Sequence, residues 1–311
     1  DTTGGMFVVS EADRDETRER MARGEVVLTG PMLGPKMLQP EGVAAELESQ
    51  ALAALGASAT LNTWSLGPLT LSLPLLVQAA EPLPSWNDGP SKKNIIEFVQ
   101  AVTDQGSKDF VKPEDRIAVF DNDGTLWSEQ PMYFELLFAL EEVKRTAAQH
   151  PEWKTTQPFQ AVLENDHQAL AASGLEGMMK IFGATHTGMT TEAFDDYAKT
   201  WLTQARHPKT GKPYTEMIFQ PMLEMLDYLR SQSFKTYIVS GGDTAFMRAF
   251  AEKVYGIPPE QVIGTTFVTT FDYKDGKASI LRTPKLAHND DGPGKPVSID
   301  AVIGRRPILA F

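Results

Sequence analysis

Two hydrophobic patterns alternate along the central and C-terminal parts of the chain. The first is the short, unbroken apolar run. Ile117-Ala118-Val119-Phe120 and Tyr237-Ile238-Val239 are both of this kind, and residues 308–311 repeat it after Pro307. Bounded by turn-forming or polar residues, such runs predict strands buried on both faces. The second pattern recurs every three or four residues. Residues 130–148 place Met132, Phe134, Leu136, Leu137, Leu140 and Val143 at helical spacing. Thr190-Thr191-Glu192 is a loose capping signal for another helix, with Phe194, Tyr197, Trp201 and Leu202 on one side. Those aromatics read as core rather than as a substrate box. A third helical pattern opens at Thr244 and runs through Phe246, Phe250 and Val254.

The first 90 residues read differently. Met6-Phe7-Val8-Val9, a charged run over 11–23 and Val26-Val27-Leu28 suggest a strand-helix-strand fragment within 1–35, weakly similar to half of a ferredoxin-like module. Residues 36–90 read as a linker. Within them, residues 66–80 form an apolar stretch ending in small residues, similar to the apolar core and cleavage site of a secretory signal. It is too short and too interrupted by proline to span a membrane. It is also internal, with no Lys or Arg between Gln39 and Lys92. A periplasmic or secreted origin and a cytoplasmic one both stay open.

Composition narrows the function. The formal net charge of -12 argues against nucleic acid and anionic membranes as partners. With no cysteine there is neither a disulfide framework nor a thiol nucleophile. The five histidines, at 150, 167, 186, 207 and 288, show no zinc-ligand spacing and read as solvated or capping residues.

The chemistry concentrates where the apolar runs end. Asp121 and Asp123 follow Phe120 directly, then Gly124, Thr125 and Leu126. A carboxylate at the end of a buried strand is costly unless it is paired or metal-bound. Ligands of open α/β sheets bind at the carboxyl ends of strands. Residues i and i+2 of a strand point the same way, so both acids can face one pocket. A hairpin turn would explain Asp123-Gly124, but not Asp121 after four apolar residues. The second run ends in Ser240-Gly241-Gly242-Asp243, where backbone N–H groups and a helix start could meet an anion. Near the C-terminal end, Gly292-Pro293-Gly294-Lys295 offers a cation, with Lys285 as the alternative. The spacing is not that of a P-loop.

The string Asp-x-Asp-Gly-Thr-Leu resembles the first motif of the haloacid dehalogenase superfamily, mostly phosphatases. Ser240 and Lys295 match its second and third motifs in the same chain order. The resemblance covers about residues 91–311 and is closest to the phosphoserine-phosphatase-like branch. It implies a doubly wound parallel α/β sheet, a Rossmann-like core, over 91–127 and 221–311, with a helical cap inserted at 128–220. It implies hydrolysis of small phosphate monoesters with Mg²⁺. Asp121 would be the nucleophile and Asp123 the general acid/base, with the metal held by Asp121 and the backbone carbonyl of Asp123. Ser240, Gly241 and Lys295 would hold the phosphate. Asp123 argues against dehalogenase chemistry, which needs no leaving-group proton; a phosphomutase shares the two-acid pattern. The superfamily's acidic loop would follow residue 311, where the sequence given stops, so a non-catalytic fragment that keeps the fold is the competing reading. Glu129, Gln130 and Tyr133 fall where cap and site would meet.

Overall fold

The computed structural model describes residues 81–274 and 276–311. The strand-helix-strand reading of 1–35 and the signal-like reading of 66–80 lie outside the described residues. A five-stranded sheet organises the rest: β1 (Ile117–Phe120), β2 (Lys235–Asp243), β3 (Val262–Lys274), β4 (Lys277–His288) and β5 (Leu309–Ala310). Their order is β4-β3-β2-β1-β5. β1 pairs in parallel with both β2 and β5, and β2 in parallel with β3. β4 alone is antiparallel, folded back on β3.

β1 is buried along its whole length because each of its faces meets helices. Ala118 and Phe120 face one side, with α1 (Pro90–Thr103) contributing Ile95, Val99 and Val102 to that layer. Ile117 and Val119 face the other, against Ile299 and Ile303 of the C-terminal helix. This accounts for the unbroken apolar run, since a strand covered on both faces has no polar side. Among the described residues no helix is long and apolar enough to cross a membrane.

Between β1 and β2 lies a helical segment. It comprises α2 (Phe134–Thr146), α3 (Phe159–Glu164), α4 (His167–Ala172), α5 (Gly174–Thr185) and α6 (Thr191–Gln204). Thr190 caps α6 as its sequence suggests, its side chain accepting from the Ala193 N–H. α2 carries two apolar faces. Phe134 and Phe138 join the core beside Phe194 and Trp201, whereas Ala139, Leu140 and Val143 join a second cluster around Trp153, Phe159 and Ile181. The aromatics of α6 are thus core residues, as expected.

α7 (Gln220–Ser231) leads into β2, and two short helices follow it, α8 (Thr244–Arg248) and α9 (Ala251–Tyr255). The single helix expected from Thr244 through Val254 is broken between Arg248 and Ala251. There Phe250 turns its buried ring onto Trp127, with centroids 4.3 Å apart. α10 (Gly294–Ile303) begins before Lys295, so that lysine sits in a helical first turn and not in a preceding loop.

The hairpin β3–β4 was not foreseen in the sequence pattern. β3 pairs with β2 only up to Thr265 and then continues with β4 past the sheet's end. β4 reaches the inserted helices: the Arg282 N–H donates to the Met189 carbonyl at 2.9 Å, and the Gly188 N–H to the Arg282 carbonyl at 2.9 Å. Gly264 holds the base of this hairpin against β2. A Cβ there would stand 2.5 Å from the Gly242 carbonyl oxygen, a backbone atom with no freedom to swing away. Gly264→Ala should lower stability by about 1–3 kcal/mol, the usual cost of overpacking. A urea midpoint equal to that of the parent chain would refute this close approach.

Candidate active site

The site forms at the carboxyl end of β1, where β2 and β5 flank it. The Asp121 N–H donates to the Phe311 carbonyl at 2.9 Å, which ties the residue after β1 to the end of β5. The chain then turns sharply about the Asn122 carbonyl, which accepts from the Thr125 and Leu126 N–H groups at 3.1 and 2.8 Å. Gly124 lies at φ 75°, a left-handed conformation that glycine adopts without strain. Asn122 points into the core, where its Oδ1 accepts from the buried Tyr255 hydroxyl at 3.2 Å. Its neighbours Asp121 and Asp123 are both only partly buried.

Asp121 Oδ2 accepts from Lys295 Nζ at 2.7 Å, across 174 positions of sequence. Oδ1 turns back to its own following N–H, that of Asn122, at 2.8 Å. The structure therefore joins Asp121 to Lys295. Lys285, the alternative, is exposed on β4.

Asp123 Oδ1 accepts from the indole N–H of the buried Trp127 at 2.8 Å, which fixes the carboxyl group beside the turn. Burial pushes its pKa up to about 7; the Trp127 hydrogen bond opposes this, and the charges of Glu135, Asp121 and Glu129 add to it. Glu129 approaches from the start of the inserted segment, its Oε2 3.0 Å from where a Gly124 Cβ would stand. Tyr133 is exposed, and its hydroxyl is held above the usual range by partial burial and then by Glu129, Asp123, Asp121 and Asp291. Tyr133 thus overlooks the same carboxylates. The Gln130 carbonyl instead accepts from His207 Nε2 at 2.8 Å, a structural contact.

Ser240 is buried at the matching end of β2, two residues past the Ile238 that pairs with Phe120. Its hydroxyl oxygen accepts from the Gly242 N–H at 3.3 Å. Gly241 is exposed, beside Asp291. The helix dipole expected behind this turn is not available. α8 is only five residues long, and Asp243 already caps it through the Ala245 N–H at 2.7 Å.

Residues missed in the sequence set the position of Lys295. Asp290 is fully buried, and its N–H donates to Thr265 Oγ1 at 3.1 Å. Thr265 Oγ1 in turn donates to the Gly241 carbonyl at 2.7 Å. Asp290 Oδ1 also receives the Ser298 hydroxyl, which lies 2.9 Å from the Lys295 carbonyl. One residue, through its carboxylate on Ser298 and its N–H on Thr265, thereby registers the first turn of α10 against the Ser240–Gly241 turn. A short Asn-Asp-Asp-Gly string before a helix was the available signal.

The histidines need a correction. His207 is buried and serves a local turn, its Nδ1 accepting from the Thr210 N–H at 3.2 Å, which fits a capping role. His186 is neither solvated nor a cap. It is fully buried among Phe138, Phe182 and Phe194. Ring faces and edges on three sides leave it no path to water.

The model of the haloacid dehalogenase-like hydrolase family matches residues 118–307, more than half of the chain. A search of curated proteins finds no match. Among solved structures, a conserved protein of unknown function from Anaerococcus prevotii aligns at 14% identity, over 70% of this chain and 77% of that one, with a TM-score of 0.39. A phosphoserine phosphohydrolase-like protein from Francisella tularensis aligns at 15% identity, over 61% and 73%, with a TM-score of 0.32. A probable phosphoserine phosphatase from Vibrio cholerae aligns at 13% identity, over 61% and 48%, with a TM-score of 0.32. These likenesses are too distant to carry an activity across.

Proposed function

Since the chain belongs to the haloacid dehalogenase-like hydrolases, we propose that it hydrolyses small phosphate monoesters through an aspartyl-phosphate on Asp121. The observation that carries this reading is the contact of Asp121 Oδ2 with Lys295 Nζ at 2.7 Å, beside an Asp123 whose pKa is pushed up to about 7. Lys295 stands where it can neutralise an incoming phosphoryl group while it orients the attacking oxygen. Asp121 attacks phosphorus, and the bond from phosphorus to the ester oxygen breaks. Asp123, in its acid form, gives that oxygen its proton. Now a carboxylate, Asp123 takes a proton from water, which attacks phosphorus, releases phosphate and restores Asp121. A group titrating near neutrality suits both halves of this cycle. Ser240 and the Gly241 backbone, at the end of the strand paired with β1, would donate to phosphoryl oxygens.

The residues present fit Mg²⁺. The donors at this end of β1 are all oxygen, the set a hard cation prefers. Glu129 brings a further carboxylate beside this turn, close to Gly124. The Asp121 carboxylate and the backbone carbonyl of Asp123 would hold the ion, which when bound neutralises phosphoryl charge.

The test is hydrolysis of p-nitrophenyl phosphate with and without Mg²⁺. Mg²⁺-dependent release of phosphate is expected, and its absence from folded protein would refute the reading. Lys295→Met should cost roughly 10²–10³-fold in kcat/KM, the usual price of one electrostatic stabiliser of the transition state. Lys285→Met should change little. The reverse order of the two effects would move the phosphate site to β4.

A further inference from the structure

Next to the Asp121 site, beside Gly242, three ionisable side chains from separate elements converge in the interior. They are Glu135 of α2, His186 just after α5 and Asp243 at the end of β2. One ligand atom from each lies within 4.8 Å of the other two, and all three residues are buried. Asp243 Oδ2 is paired with the buried guanidinium of Arg282, and both Glu135 oxygens face the Asp243 N–H, at 3.2 and 3.0 Å. An ionised Glu135 beside the Asp243–Arg282 pair leaves one negative charge in a dry place, which one proton balances and a dication exceeds by one, so net charge does not choose the occupant.

The hydrogen bonds of His186 sharpen the point. Thr185 has one hydroxyl proton, and its Oγ1 donates to the Ile181 carbonyl at 2.9 Å. The contact of Oγ1 with His186 Nδ1 at 2.8 Å therefore needs the proton of the ring nitrogen. Nε2 is left with a bare lone pair. It is buried without a hydrogen-bond partner, and Glu135 Oε1 lies 3.3 Å away. A lone pair facing a carboxylate oxygen is repulsive unless something positive sits between them.

We propose that Glu135, His186 and Asp243 form a binding site for a divalent cation of the zinc class, joining the inserted helices to the core. One imidazole nitrogen with two carboxylate oxygens suits such an ion better than Mg²⁺, which seeks oxygen alone. One of the three edges agrees: two ligands of a tetrahedral zinc, each about 2.0–2.1 Å from the metal, stand about 3.3–3.4 Å apart. The 3.3 Å between Nε2 and Oε1 is that edge. The supporting contacts are in place as well. Nδ1–H on the Thr185 hydroxyl and Arg282 on Asp243 orient two of the three ligands, as outer contacts do around bound metals. The competing occupant is a single proton. Burial raises the pKa of Glu135 to about 7 and lowers that of His186 to about 4, so the proton would sit on Glu135 and be donated to Nε2. The proposal is independent of the phosphatase reading.

The experiment is metal counting on the purified 311-residue chain. It is stripped with chelator, then dialysed against Zn²⁺ in excess Mg²⁺, which occupies all-oxygen sites. One retained equivalent of Zn²⁺ per chain is expected, and Co²⁺ in its place should show the visible absorption of a nitrogen-containing, low-coordinate site. His186→Gln should lose both signals, and Asp121→Asn should lose neither. Glu135→Gln serves the same purpose should His186→Gln fail to fold. Folded parent chain that retains no zinc would overturn the proposal and leave the proton as sole occupant. An equivalent still held by a folded His186→Gln chain would overturn it too.

Discussion

Asp121→Asn should leave the chain folded and reduce phosphate-ester turnover by roughly 10⁴-fold or more, the scale seen when a covalent nucleophile is removed. The variant is nearly isosteric and keeps an oxygen to face Lys295 Nζ, now 2.7 Å from Oδ2. It also removes one of the negative charges that raise the pKa of Asp123. Stability should therefore change little while the route through an acyl phosphate closes, since an amide oxygen is a poor nucleophile toward phosphorus. Single-turnover trapping with a radiolabelled phosphate ester gives the direct measurement. The parent chain should carry label on quenching and the variant none. A variant that turned over at the parent rate would remove Asp121 from the chemistry and leave Lys295 as a structural partner.

Asp123→Asn should separate substrates by leaving group. Esters of alkyl alcohols need a proton on the departing oxygen and should slow by roughly 10²–10⁴-fold, the usual contribution of general acid catalysis. Esters of acidic phenols should slow far less in the phosphorylation step. Equal losses across the series would reassign Asp123 to metal binding alone. The pH dependence carries a sign. The pKa of Asp123 is raised to about 7, so its acid form dominates below that value and is depleted above it. With alkyl esters kcat/KM should fall as pH rises through about 7, and Asp123→Asn should abolish that descending limb. Trp127→Phe removes a hydrogen bond that lowers this pKa and should move the limb toward higher pH.

Much of the candidate site could be read along the chain because its residues sit at the ends of buried strands. Asp121 and Asp123 stand out for following four residues with no polar side, and Ser240 for ending another such run. The burial of β1 on both faces supplies the reason, since helices cover each side and only the strand end is open to a ligand. The α/β class and the inserted helices were legible in the same way, from a two-sided apolar run and from apolar spacing on α2 and α6. These are local properties, set by which faces of a strand or helix must leave water.

Contacts between distant segments carry no such period, and they decided the rest. Motif order favours Lys295 over Lys285, but no local pattern brings either to Asp121; the buried Asp290, joined to Ser298 and Thr265, holds the turn that carries the first to Asp121, while the second lies on an exposed strand. β4 reads as an ordinary polar segment until its pairing with β3 carries Arg282 to Asp243 and to the carbonyl of His186. His186 reads as a surface histidine until three aromatic rings enclose it. A buried ionisable group is tolerated only where partners from elsewhere in the chain reach it. The motifs at the strand ends were therefore determined by sequence alone, whereas the partners of Lys295, His186 and Asp243 exist only once β2, β3, β4 and the inserted helices have closed around them.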